Sequence, residues 1–158
     1  MSAAARRALA AYGAVHTQTV VDGADPATLV RLLFDGAVDA LLDAEGCIAR
    51  SHRQSKAKAL QKATEILLAL KGALNTEAGG ELAGTLDELY SYCLRRVLHG
   101  NLHHDVAALQ EVRGLLEDRN LLASSLFAER IGWSDEAIEN AENVMASSRP
   151  YFSLLLIR

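Results

Sequence analysis

The 158 residues carry a formal net charge of −4, which disfavours a general role in binding nucleic acids or anionic membranes. Half of them are hydrophobic, and a Leu- and Ala-rich chain with only two prolines favours helices in one domain over a β-sandwich. No apolar run approaches the roughly 18 residues that span a bilayer, and the start lacks the apolar stretch of a signal peptide. Two distant cysteines do not suggest a disulfide scaffold. A cytoplasmic protein without membrane insertion is therefore expected.

The first predicted helix follows an irregular N-terminal segment over residues 1–24. Asp25-Pro26 is a typical helix start, because the aspartate side chain can cap the helix and proline suits its first position. The helix runs to about Arg50. Its apolar arc is wide enough to contact two neighbours, or one neighbour and a ligand.

Three further helices are predicted along the chain. The second follows the polar connection SHRQSKAK and reaches about Leu74, and the glycine pair in NTEAGG then favours a turn. The third runs from about Glu81 to His99, where Gly100-Asn101 is typical of a C-terminal cap. The fourth starts near Asp105 and continues towards Phe127. Four long helices with short connections predict an all-α fold, an antiparallel up-and-down four-helix bundle over residues 25–127.

Residues 128–158 form a predicted C-terminal extension of different character. Gly132 interrupts the apolar pattern, and Ser134 can cap a short extra helix. Arg149-Pro150 ends that helix. The ending SRPYFSLLLIR is an apolar tail that would be unfavourable in water.

Catalytic and metal-binding patterns are weak. His99 and His103 have a spacing that would serve zinc on one helix, but Gly100-Asn101 is expected to separate them. No histidine has the glutamate three residues before it that di-iron bundles use, and neither a phosphate loop nor a nucleophile elbow occurs. Cys47 and Cys93 fall on apolar faces. Neither a cofactor, a metal nor an enzyme activity is expected, although phosphotransfer through His99 stays an alternative.

An ordered set of motifs over about residues 8–118 resembles the FliS-type flagellar export chaperones. The set comprises an early tyrosine and threonine, an aromatic-Asp-Gly-Ala step, a Gly-Gly-Glu turn, Leu-Tyr-x-Tyr, Arg-Arg, and an Asn followed by an Asp. In this chain the residues are Tyr12, Thr17, Phe34, Asp35, Gly36, Ala37, Gly79, Gly80, Glu81, Leu89, Tyr90, Tyr92, Arg95, Arg96, Asn101 and Asp105.

The resemblance implies a non-enzymatic chaperone in the bacterial cytosol. Such a protein binds the disordered C-terminal segment of flagellin, prevents its premature polymerisation and assists its delivery to the flagellar export apparatus. The client would bind a monomer 1:1, and a component of the export gate is a second candidate partner. A structural adaptor or oligomerisation module without a flagellin client is the alternative function.

The predicted partner-binding residues come from the N-terminal segment, the first helix and the third helix. They are Tyr12, Val15, Thr17, Leu33, Phe34, Asp35, Tyr90, Leu94, Arg95, Arg96 and Asn101. Each apolar member of the two helices could instead be core, and the arginines could be ordinary exposed charges.

The resemblance does not explain the extension over residues 128–158. Its Pro150, Leu154, Leu156 and Arg158 are similar in outline to the end of flagellin itself. Three roles for the tail stay open: packing on the bundle, occupying the client groove of its own chain, or contacting a neighbouring chain.

Overall fold

The computed structural model describes residues 25–129 and 132–147, and every regular element in these ranges is an α-helix. The predicted all-α class is therefore confirmed. The six helices of these ranges are α1 (Pro26–Ala49), α2 (Arg53–Gly72), α3 (Thr76–His103), α4 (Val106–Leu116), α5 (Arg119–Glu129) and α6 (Asp135–Ser147).

Helix α1 begins where the sequence predicts and lies at the centre of the packing. The Asp25 carboxylate accepts a hydrogen bond from the Thr28 N–H at 2.9 Å, and Pro26 occupies the first turn. α1 packs against α2, α4, α5 and α6. The wide apolar arc is thus used by several neighbours, and its buried residues are Leu29, Val30, Leu33, Phe34, Gly36, Ala37, Ala40, Leu41, Ala44 and Cys47.

Helix α2 begins at Arg53, inside the stretch SHRQSKAK that the sequence predicts to be a polar connection. The turn is confined to residues 50–52, where Ser51 adopts a left-handed backbone conformation with φ 59°. Most of this stretch has the polar composition of a loop because its helical residues, apart from one, are exposed to solvent. Lys56 is the exception, since it faces inwards and is only 6% exposed.

Helix α3 is longer than predicted at its start. The Asn75 side chain accepts a hydrogen bond from the Ala78 N–H at 3.0 Å and caps the first turn. Gly80 then leaves helical geometry, with φ 55° and ψ −132°. The break predicted at the glycine pair is therefore present, but as a kink inside a helical segment, because glycine reaches this backbone conformation without steric cost.

The predicted end of the third helix at Gly100-Asn101 is wrong. α3 continues to His103, and His104 takes the left-handed capping position with φ 51°. Gly100 is buried inside the helix, where an added Cβ would lie 2.7 Å from Leu109 Cδ2. This glycine therefore permits the close approach of α3 and α4, and its helix-ending chemistry is not used.

The predicted single helix from Asp105 towards Phe127 is also wrong, because it is divided. α4 ends at Leu116, and the Asp118 carboxylate accepts a hydrogen bond from the Asn120 N–H at 2.7 Å at the start of α5. α4 packs between α1 and α3, and α5 continues along the same two helices. The aspartate thus starts a second helix where periodicity alone suggests continuity.

Helix α6 begins with the predicted cap, since Ser134 Oγ accepts a hydrogen bond from the Ala137 N–H at 3.1 Å. It packs against α1 and α2, and Ala141 and Met145 are fully buried in the main core. The described part of the C-terminal extension is therefore integral to the fold. The irregular segment 1–24 and the tail 148–158 lie outside the described residues.

Candidate functional site

The predicted residues Leu33, Phe34 and Tyr90 lie in the core. They are 0%, 2% and 1% exposed, and the Phe34 and Tyr90 rings meet edge to face with centroids 6.5 Å apart. This contact joins α1 to α3 across the molecule. An aromatic pair in this geometry stabilises packing beyond its buried area. The three side chains therefore position the helices and are not exposed to a partner in this structure.

The Tyr90 hydroxyl extends the same contact to α5. It forms a buried hydrogen bond with Ser125 Oγ at 2.7 Å. Burial raises the pKa of the phenol to about 12, and the hydrogen bond between the Tyr90 and Ser125 hydroxyls acts in the opposite direction. A satisfied hydroxyl in the core fixes α5 on α3.

The predicted α3 residues 94–96 lie at the surface or its edge. Leu94 is half-buried and packs against the core. The Arg95 guanidinium is exposed and lies 5.9 Å from the Tyr92 ring centroid. Arg96 Nε lies 3.4 Å from Glu111 Oε2 on α4, and the Tyr92 hydroxyl donates to the same carboxylate. Arg96 thus links two helices, whereas Arg95 presents its charge to solvent.

Asp35 and Asn101 lie apart from one another. Asp35 is exposed on α1, where partial desolvation and then the nearby charge of Asp39 raise the pKa of its carboxyl group. The Asn101 carbonyl oxygen accepts a hydrogen bond from Lys56 Nζ at 3.0 Å. Asn101 therefore joins the end of α3 to α2 through its main chain.

An apolar surface on α3 contains the predicted residue Leu94 and two leucines that the sequence prediction did not name. Leu94, Leu98 and Leu102 are spaced four residues apart and share one face of the helix. Leu98 is 57% exposed and Leu102 is 66% exposed, although both are large and apolar. We call these three residues the α3 leucine stripe. The available signal was the surplus of leucines on this helix beyond those that its core-facing side requires.

The histidine pattern differs from the prediction. His99 and His103 lie on one continuous helix, with ring centroids 4.5 Å apart, so Gly100-Asn101 does not separate them. His99 Nε2 lies 3.2 Å from Asp105 Oδ2. Within residues 25–129 and 132–147, no three His, Cys, Asp or Glu side chains are arranged to hold a metal ion.

The two cysteines are buried free thiols, as their positions on apolar faces predict. Burial, with a smaller effect of the Glu111 charge, raises the pKa of Cys93 to about 11. A thiol protonated at neutral pH is a poor nucleophile. No helix within the described ranges has the length and apolarity to cross a membrane.

Comparison with known proteins gives consistent matches. The family model for flagellar protein FliS matches residues 8–121. The flagellar secretion chaperone FliS of Salmonella typhimurium strain LT2 is 42% identical over 109 residues, which are 68% of this chain and 81% of that protein. FliSB of Pseudomonas aeruginosa PAO1 is 38% identical over 112 residues, 71% of this chain and 89% of that protein. FliS of Escherichia coli K12 is 34% identical over 128 residues, 77% of this chain and 94% of that protein.

Proposed function

Because the chain belongs to the flagellar protein FliS family, we propose that it is a flagellar secretion chaperone that binds the C-terminal segment of flagellin. The family is one of chaperones and not of enzymes. The observation that carries the proposal is the family match itself, which includes α1–α4 entirely and the start of α5. The comparisons give no support to an adaptor without an export client.

The client surface that we propose is the α3 leucine stripe. An apolar, helix-prone client segment can cover Leu98 and Leu102 with its own apolar face, as in other helix-in-groove complexes. Leu94 forms the buried edge of this contact, and the exposed Arg95 guanidinium can donate hydrogen bonds to client carbonyl or carboxylate groups.

The core residues have a supporting role in this proposal. α1 and α3 meet through Phe34 and Tyr90, and both pack against α2 and α4. This pattern supports an antiparallel four-helix bundle in which α1 and α3 are diagonal neighbours. Leu33, Phe34 and Tyr90 then hold α3 in place, and the client touches the outer face of α3.

Tyr12, Val15 and Thr17 remain proposed client contacts. The bound client would be withheld from polymerisation in the cytoplasm and released at the export gate, with one chaperone monomer per flagellin. A small apolar contact suits this task, since the client must leave again. A disordered segment that orders on binding also gives up part of its interaction energy, which keeps the complex reversible.

Size-exclusion chromatography with light scattering tests the proposal. The full chain is mixed with a peptide of the C-terminal segment of flagellin from the same bacterium, and a scrambled peptide of the same composition is the control. We expect a 1:1 complex with the native peptide alone. A species whose mass is indifferent to the native peptide would refute the flagellin client, and a self-assembled species would favour the oligomerisation module.

A further inference from the structure

A pocket of about 210 Å³ lies where the α1–α2 turn meets the end of α3. Its polar lining comes from Ser51, His52, Arg53, Lys56 and His104. Three helix ends converge here, because α1 ends, α2 begins and α3 ends at this point. We call it the turn pocket. It shares no residue with the α3 leucine stripe.

Lys56 is the central group of the turn pocket. Its side chain donates to the Asn101 carbonyl oxygen at 3.0 Å and contacts His104 Nδ1 at 2.9 Å. An ammonium group has no lone pair, so Nδ1 of His104 must be the acceptor in this contact. Neither partner of the ammonium supplies a negative charge. The third N–H of Lys56 is left for another acceptor.

The positive charge of Lys56 has no neutralising partner in the described part of the chain. The ion pairs there involve other residues, and no carboxylate lies within ion-pair distance of Lys56 Nζ. A buried charge without a counter-charge is unfavourable. Only 6% of the Lys56 surface is exposed.

The other groups of the turn pocket add to its positive potential. α2 begins here at Arg53, and the preceding His52 makes no side-chain capping bond to the free N–H groups of the first turn. The start of a helix carries partial positive charge. The Arg53 side chain adds a full charge, and no acidic residue lines the pocket.

We propose that the turn pocket binds a small oxyanion, either inorganic phosphate or the carboxylate of an acidic side chain on a partner protein. The anion accepts hydrogen bonds from the third N–H of Lys56, from the guanidinium of Arg53 and from the main-chain N–H groups of the first turn of α2. It thereby supplies the counter-charge that Lys56 lacks.

NMR titration of the full-length ¹⁵N-labelled chain tests the proposal. Sodium phosphate is added in one arm and sodium acetate, as the carboxylate probe, in the other, with sodium chloride holding the ionic strength constant. We expect saturable shifts centred on residues 51–56 and on His104. Saturation by phosphate alone identifies free phosphate as the ligand, and saturation by acetate identifies a carboxylate.

Variants locate the binding. Lys56→Gln removes a charge-assisted hydrogen bond and should weaken binding by about 10-fold or more. Arg53→Gln changes an exposed residue without disturbing the core and should weaken it by roughly 3-fold or more. Lys58→Gln is the matched control, since Lys58 is exposed on the same helix outside the pocket lining.

Two outcomes would overturn the proposal. In the first, shifts rise linearly without saturation for both probes. In the second, Lys58→Gln weakens the response as much as Arg53→Gln, which would reveal general screening of surface charge. If Lys56→Gln fails to fold, the comparison of Arg53→Gln with Lys58→Gln decides alone.

Discussion

Replacing both exposed leucines of the α3 leucine stripe should weaken client binding by about 10- to 100-fold while the chain stays folded. In the variant Leu98→Ala/Leu102→Ala, each substitution removes three carbon groups worth about 0.8 kcal/mol each when they are fully buried. The exposed shares of 57% and 66% are what a client can still cover. If the client covers these exposed parts fully, the double variant loses about 3 kcal/mol of binding free energy, which is roughly a 100-fold loss of affinity.

Coverage of half of that surface gives about 1.5 kcal/mol and roughly a 10-fold loss, so the expected range lies between these limits. The parts of the two side chains already buried in the free chaperone limit the cost to folding to about 2 kcal/mol. Alanine also favours the helix slightly at both positions.

Isothermal titration of the flagellin peptide into the full chain measures the effect, with circular dichroism confirming that each variant is folded. Leu42→Ala is the matched control, because Leu42 is also a partly exposed leucine, at 45%, but lies on α1. Its effect on affinity should stay below about 2-fold. Equal affinities for the double variant and the control would refute the leucine stripe as the client surface.

Two further predictions concern stability. Tyr90→Phe removes the hydrogen bond to Ser125 and should cost about 1 kcal/mol at neutral pH. Because the pKa of Tyr90 is raised from 10.0 to about 12, the wild-type fold should also lose stability as the pH rises through this window. Urea titrations at several pH values should show that the free energy of unfolding falls less between pH 10 and about pH 12 in Tyr90→Phe than in the wild type. An equal fall in both proteins would contradict the raised pKa of Tyr90. Glu45→Gln weakens the contact of Arg113 with Glu45, at 2.8 and 3.3 Å, and should destabilise the fold by about 1 kcal/mol in urea titrations. Glu117→Gln, at the exposed partner of Arg113, should cost no more than about 0.5 kcal/mol, and an equal effect would contradict this ranking.

The starts of α1 and α6 were predictable from local sequence. Asp25 and Ser134 act through hydrogen bonds to amides three residues away, so the relevant chemistry is contained in a few residues of sequence. The end of α3 was not predictable in this way. Gly100 has the composition of a helix cap, but its role depends on Leu109 of another helix, which local sequence does not reveal.

The candidate site was predictable only as an apolar pattern. Periodicity places Phe34, Tyr90 and Leu98 on the predicted helices, but it does not show which of them a neighbouring helix covers, and Leu102 lies beyond the predicted end of the third helix. That division depends on the number of neighbours around each helix. Tyr90 faces α1 and α5 and is buried, whereas Leu102 lies on the outer side of α3 and is exposed.

The central position of α1 has a consequence for how the chain folds as it is made. α1 leaves the ribosome first among the described helices, and only α2 follows it directly. Its other partners, α4, α5 and α6, come from much later sequence. Contacts between distant segments form slowly, and apolar surface exposed meanwhile promotes aggregation. We therefore expect an α1–α2 hairpin to form on the nascent chain, with the apolar side of α1 uncovered until α4 is synthesised.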